Sequence, residues 1–171
     1  MTAPQNKTQH ELLQERAAAV GLRAYHLHLD LSEVLDSPTY RVTTCLELSS
    51  SEPELFLDYL GESVAEVKVN STPQEVDFDG SIIRLHGLPV GEELTIEVTG
   101  YSRYSRTGQG LHRMHDQADD ATYLYSHLEP SDARRIFPCL EQPDLKAVFH
   151  VRMSAPKKWQ ILSNQPEVER S

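Results

Sequence analysis

The sequence predicts an all-β fold, an antiparallel sandwich or layered set of sheets with one short helix at the N-terminus. Three observations carry that expectation. Apolar residues alternate with polar ones over many short runs, turn-forming residues separate those runs, and helical periodicity occurs once, at the start.

Thr8 followed by Glu11 reads as a capping box, Leu12, Leu13, Ala17 and Val20 mark one helical face, and Gly21 supplies a C-terminal stop. The period then changes to two. Tyr25, Leu27, Leu29 and Leu31 alternate with His26, His28 and Asp30, as in a half-buried strand, and Tyr40, Val42, Thr44, Leu46 and Leu48 repeat the pattern. Further strands are expected at 55–59, 64–69, 76–78, 81–85, 94–98, 123–128, 148–154 and 160–163. Asp79-Gly80 is the strongest hairpin signal, because glycine tolerates the positive φ of a tight turn. Between Tyr101 and Tyr123 the alternation fails, which predicts a long loop or hairpin excursion of the kind that is functional or lies against another part of the protein. Residues 1–21 are expected to form a tail and helix, and 22–171 the β domain.

The 171 residues carry a net charge of −10, which argues against a nucleic-acid binder that works by neutralising phosphates. The excess lies entirely in residues 46–100, with −10, against −1 for residues 1–45 and +1 for residues 101–171. The solvated outer faces of strands account for it, and a cation-seeking or partner-binding surface is the alternative. No apolar run reaches the roughly 20 residues of a membrane-spanning helix, and no apolar leader follows Met1, so a cytoplasmic protein is expected. Cys45 and Cys139 are read as free, half-buried thiols. The sequons at Asn6 and Asn70 are expected to be chance.

His112-x-x-His115-Asp116 invites a metal reading. However, no helical periodicity brings the two rings to one face and no Glu stands between them, so polar loop residues are the expectation and no metal is assigned. His26 and His28 are expected to face water. The informative stretch is 123–149, where Ser131 or Asp132 can cap a short helical turn through Ala133, Arg134 and Arg135 that Pro138 ends. Glu141 and Asp144 are the nearby carboxylates for the two arginines, in a knot of ion pairs that fixes the corner. Glu129 is the exception. At the end of its strand, just before Pro130, its carboxylate can be held rigidly toward a cleft, as a free α-ammonium group requires.

The run Glu129-Pro130-Ser131-Asp132-Ala133-Arg134-Arg135, then Phe137-Pro138-Cys139 and Glu141-Gln142-Pro143-Asp144-Leu145-Lys146-Ala147, resembles the zinc-dependent aminopeptidase N group of metallopeptidases, more narrowly its bacterial branch. Gly108-Gln109-Gly110-Leu111-His112 and Ala155-Pro156 followed by Trp159 are similar to the same branch. The resemblance implies a saddle-like, multi-sheet β domain that covers one side of a thermolysin-like catalytic domain. It implies that Glu129 binds the free amino terminus of a peptide substrate. His127 stands where the family commonly has Gln in the first specificity pocket, and Leu140 where an aromatic is common. It also implies a cis bond between Glu129 and Pro130.

The family's G-x-M-E-N segment and H-E-x-x-H zinc motif are not in these residues, so no catalytic residue and no metal ligand is assigned here. The resemblance implies the N-terminal domain of a longer zinc enzyme that removes single amino acids from peptide N-termini. Its own catalytic domain lies downstream, and this piece is folded, inactive and indifferent to zinc. A binding or scaffolding module that has lost catalysis is the alternative. An epoxide-hydrolysing relative is disfavoured, since those members carry Gln where Glu129 stands.

Overall fold

The computed structural model describes residues 8–170. Asn6, of the first sequon, lies outside them. Helix α1 (Gln9–Ala19) opens on the expected capping box: Thr8 Oγ1 accepts from the Glu11 amide, and the Glu11 carboxylate accepts from the Thr8 amide at 2.7 Å. It ends without a glycine cap. Val20 is already extended, at φ −109° and ψ 124°, and Gly21 is the second residue of the next strand. The expected apolar face is also corrected. Leu12 is 42% exposed, and Arg16 is the helical residue that is buried.

Eleven strands follow, with all residues named from the described part of the chain. They are β1 (Val20–Asp30), β2 (Thr39–Ser50), β3 (Leu55–Asp58), β4 (Ser63–Val69), β5 (Thr72–Gln74), β6 (Asp77–Phe78), β7 (Ile82–Leu85), β8 (Glu93–Arg103), β9 (Gly110–Asp116), β10 (Ala121–His127) and β11 (Val148–Ser154). A six-stranded sheet has the order β11-β1-β2-β8-β4-β5, a three-stranded sheet the order β3-β7-β6, and β9 and β10 form a hairpin of their own. The all-β expectation therefore holds. The inward residues of the large sheet, among them Leu27, Val42, Leu46, Ile96 and Val98, and those of the small sheet, Leu57 and Ile83, form one buried core.

The departures have local causes. Strand β11 runs parallel to β1, against the antiparallel expectation. Parallel partners cannot be joined by a tight turn, and here most of the chain separates the two. Residues 160–163 form no strand, and their apolar members Ile161 and Leu162 are exposed. Thr72–Gln74 is a strand that alternation missed. It pairs with β4 across Asn70-Ser71, whose φ values of 48° and 65° make a two-residue turn with both central residues left-handed. Asn70 also accepts from the Thr95 amide at 2.9 Å, so the second sequon sits in a structural turn. The Asp79-Gly80 turn forms as expected, with Gly80 at φ +94° and Asp79 Oδ1 accepting from the amides of Ser81 and Ile82. The excursion after Tyr101 is the β9–β10 hairpin.

The segment after β10 is irregular yet docked. Ile136, Phe137, Cys139 and Leu140 are buried. Asp58 and Cys139 exchange two backbone hydrogen bonds, at 2.7 and 3.0 Å, and the Leu140 amide donates to the Tyr25 hydroxyl at 2.9 Å. Tyr40 and Ser102 both donate to the Ile136 carbonyl. These bonds satisfy backbone groups that strands would otherwise pair, which is why a non-repetitive stretch can lie inside the core. They also hold the corner from which the candidate site projects.

Candidate functional site

His127 closes the β10 ladder opposite Gly110. Leu128 then leaves it, its carbonyl accepts from the Asp132 amide at 2.8 Å, and Glu129 rides on that turn with a cis bond to Pro130. Both His127 and Glu129 are exposed. The Glu129 carboxylate makes no hydrogen bond or ion pair with any of the described residues, although Arg134 and Arg135 follow closely.

The arginines are engaged elsewhere, which corrects the expected pairing with Glu141 and Asp144. Ala133–Arg135 forms a single 3-10 turn, and its tight winding sets Arg135 over Asp132, Nε to Oδ1 at 2.6 Å, with the aspartate almost fully buried. Asp132 therefore makes no side-chain cap. Arg134 Nε donates to the Ser131 carbonyl at 3.0 Å. Glu141 accepts instead from the Arg134 backbone amide at 2.7 Å, and Asp144 accepts from Gln142. Glu129 is left with no ion-pair partner among the described residues.

Alternation along β10 puts Tyr123, Tyr125 and His127 on one face, opposite Met114, His112 and Gly110 of β9. The His112 ring lies 4.8 Å from that of Tyr125, and its Nδ1 accepts from the Gly108 amide. His115, three residues along the strand, points to the opposite face and pairs with Asp120 at 3.2 Å. The two imidazoles cannot converge on one ion, and among the described residues no three His, Cys, Asp or Glu side chains are grouped to hold a metal. A zinc site does not fit these residues.

His26 and His28 do not simply face water. His26 reaches Glu47 at 3.0 Å and stacks on His150 at 4.7 Å, and His28 meets Ser154 at 3.0 Å, so both stitch β1 to its neighbours. Cys45 is half-buried, while Cys139 is buried outright, and both are free thiols. Burial, with Glu141 and Asp58 adding to it, pushes the Cys139 thiol well above its ordinary range.

One residue the sequence reading passed over is Arg16. Its Nη1 lies 2.8 Å from Asp58, and its guanidinium sits 4.1 Å above the Phe56 ring. The available signal was positional: Arg16 falls three and four residues after Leu13 and Leu12, inside the stripe expected to face the core.

The peptidase M1 N-terminal domain family matches residues 25–171. Aminopeptidase N of Streptomyces lividans is 37% identical over 163 residues, covering 93% of this chain and 19% of the relative. A probable M1 family aminopeptidase of Encephalitozoon cuniculi is 30% identical over 125 residues, 61% of this chain and 14% of the relative. The chain thus spans less than a fifth of the length of these relatives. Among solved structures, yeast LTA4 hydrolase bound to bestatin superposes with a TM-score of 0.72 at 17% identity, over 91% of this chain and 26% of the other. A variant M1 zinc metallopeptidase of Deinococcus radiodurans superposes with a TM-score of 0.66 at 22% identity, over 81% and 33%. At those identities the structural likeness speaks for the fold.

Proposed function

This chain belongs to the peptidase M1 N-terminal domain family, and on that premise we propose that it is the substrate-recognition domain of a zinc-dependent aminopeptidase that hydrolyses single amino acids from peptide N-termini. Glu129 binds the free ammonium group of the peptide, and His127, two residues earlier, lines the pocket for the first side chain. The observation that carries this reading is the exposed Glu129 carboxylate, on a turn braced by the Leu128–Asp132 hydrogen bond and without an internal partner. Such an anion exchanges only water for an incoming ammonium group, and charge-assisted hydrogen bonds strengthen as a cleft closes and excludes solvent.

The chain's own task is therefore to bind and orient. Holding the amino terminus at one point sets which peptide bond reaches the reacting centre and excludes substrates with blocked ends. Zinc, when bound in such an enzyme, polarises the scissile carbonyl and activates water. In this reading the zinc ligands belong to the catalytic domain downstream.

Substitution in the full-length enzyme tests the assignment. Truncating one partner of a desolvated charge pair costs about 2 to 5 kcal/mol, so Glu129→Ala is expected to lower kcat/KM for aminoacyl substrates by roughly 30- to 5,000-fold. Glu129→Gln, which keeps the shape and removes the charge, is expected to recover only part of that loss. Unchanged kcat/KM in Glu129→Ala would reject the role.

A further inference from the structure

Residues 98–115 contain three arginines and two histidines and no Asp or Glu, within a chain of net charge −10. The fold wraps this acid-free stretch around two clefts that share one wall, Arg106. One, of about 300 Å³, is bordered by Arg103, Ser105, Thr107, Gln109 and Arg135. The other, of about 450 Å³, is bordered by His112, Arg113, Met114 and His115.

The carboxylates near the smaller cleft are already engaged. Glu62 is held by Arg103 through two contacts, Nε to Oε2 at 3.0 Å and Nη2 to Oε1 at 2.8 Å. Asp132 is taken by Arg135 Nε, and no hydrogen bond to the described residues is made by Arg135 Nη1 or Nη2. Arg106 has no carboxylate partner among the described residues. Ser105 and Thr107 add hydroxyls beside it, 3.2 Å apart, and the Thr107 amide donates to Ser105 Oγ, which curls the loop about the cleft. Three guanidinium groups thus border one cleft; Glu62 neutralises Arg103 and Asp132 neutralises Arg135, so Arg106 is left without a carboxylate partner among the described residues.

We propose that the Arg106 cleft is a binding site for a small oxyanion, a carboxylate or phosphate group gripped by the Arg106 fork and completed by Arg135 and the hydroxyls of Ser105 and Thr107. A planar guanidinium presents paired donors at the spacing of two oxygens, and neighbouring hydroxyls supply further donors without adding charge. A cation is disfavoured by the same inventory, since Glu62 is the one carboxylate bordering the cleft and both its oxygens are occupied. The site is separate from the ammonium-binding role given to Glu129 and does not depend on it.

Nuclear magnetic resonance titration of the isotope-labelled chain tests the site, with inorganic phosphate in one arm and acetate in the other, at ionic strength held constant with chloride. Saturable shifts are expected at residues 103–109 and at Arg135, and the arm that saturates identifies the oxyanion. Arg106→Gln is expected to weaken the binding at least about tenfold while leaving the rest of the spectrum in place, because one charge-assisted pair is removed. Arg152→Gln, an exposed arginine on β11, is expected to leave it unchanged. Absence of saturation in both arms, undiminished binding in Arg106→Gln, or shifts spread evenly over Arg41, Arg152 and other exposed arginines would overturn the proposal.

Discussion

Arg16 and Asp58 form a buried ion pair, Nη1 to Oδ2 at 2.8 Å with side-chain exposures of 1% and 13%, which ties the N-terminal helix to the end of β3. Arg16 also donates to the Phe56 carbonyl at 3.1 Å and to Gln142, so one side chain joins the helix, the small sheet and the docked segment after β10.

Removing the arginine alone strands Asp58 without its cation. Arg16→Met is therefore expected to destabilise the chain by about 3 to 5 kcal/mol in denaturant unfolding, and Arg16→Met combined with Asp58→Asn by clearly less. Equal losses in the single and double variants would show that packing, rather than the orphaned charge, sets the cost.

A second expectation concerns pH. His86 hydrogen-bonds Asp77 at 3.0 Å and Glu54 on its other ring nitrogen, and these two carboxylates raise its pKa above the ordinary value. A group whose folded-state pKa is raised stabilises fully below its unfolded value, about 6.5 for histidine, and loses that contribution as pH rises through the folded value. His86→Gln is thus expected to lower Tm more at about pH 5.5 than at about pH 9. A Tm difference independent of pH would contradict the clamp.

Gly110 sits at φ +63°, and a Cβ there would meet Arg135 Cβ at 2.9 Å. Gly110→Ala is expected to cost about 1 to 3 kcal/mol in denaturant unfolding, through left-handed strain and close approach together. Since Gly110 pairs with His127, the substitution should also shift the amide resonances of His127. Full stability in this variant would mean that the hairpin can move away from Arg135 freely.

Much of the fold was legible because sheet burial imposes period two on the sequence. β1, β2 and the centre of β8 could be read residue by residue, and the capping box and the Asp79-Gly80 turn rest on interactions three residues or fewer apart. Strand β5 escaped notice because Pro73 breaks the strand signal and Asn-Ser replaces the usual Asn-Gly in its turn. The opposite error, a strand at 160–163, arose because an apolar pair such as Ile161-Leu162 shows only that a segment could pair, and among the described residues no strand pairs with it. At the candidate site, Glu129 and His127 were named from local sequence and resemblance, and the outward aim of Glu129 was expected there, while the partners that Arg134 and Arg135 take were not readable.

From sequence alone came the β class, the family likeness, the turn chemistry and the short list of carboxylates worth attention, because those depend on neighbours within a few residues or on motif order. Tertiary structure decided which charges meet. It paired Arg16 with Asp58 and Arg135 with Asp132, left Glu129 and Arg106 without an ion-pair partner among the described residues, and placed β11 parallel to β1. Ion pairing depends on distances of a few ångströms between residues that chain folding brings together, and the periodicity of a sequence carries no record of those distances.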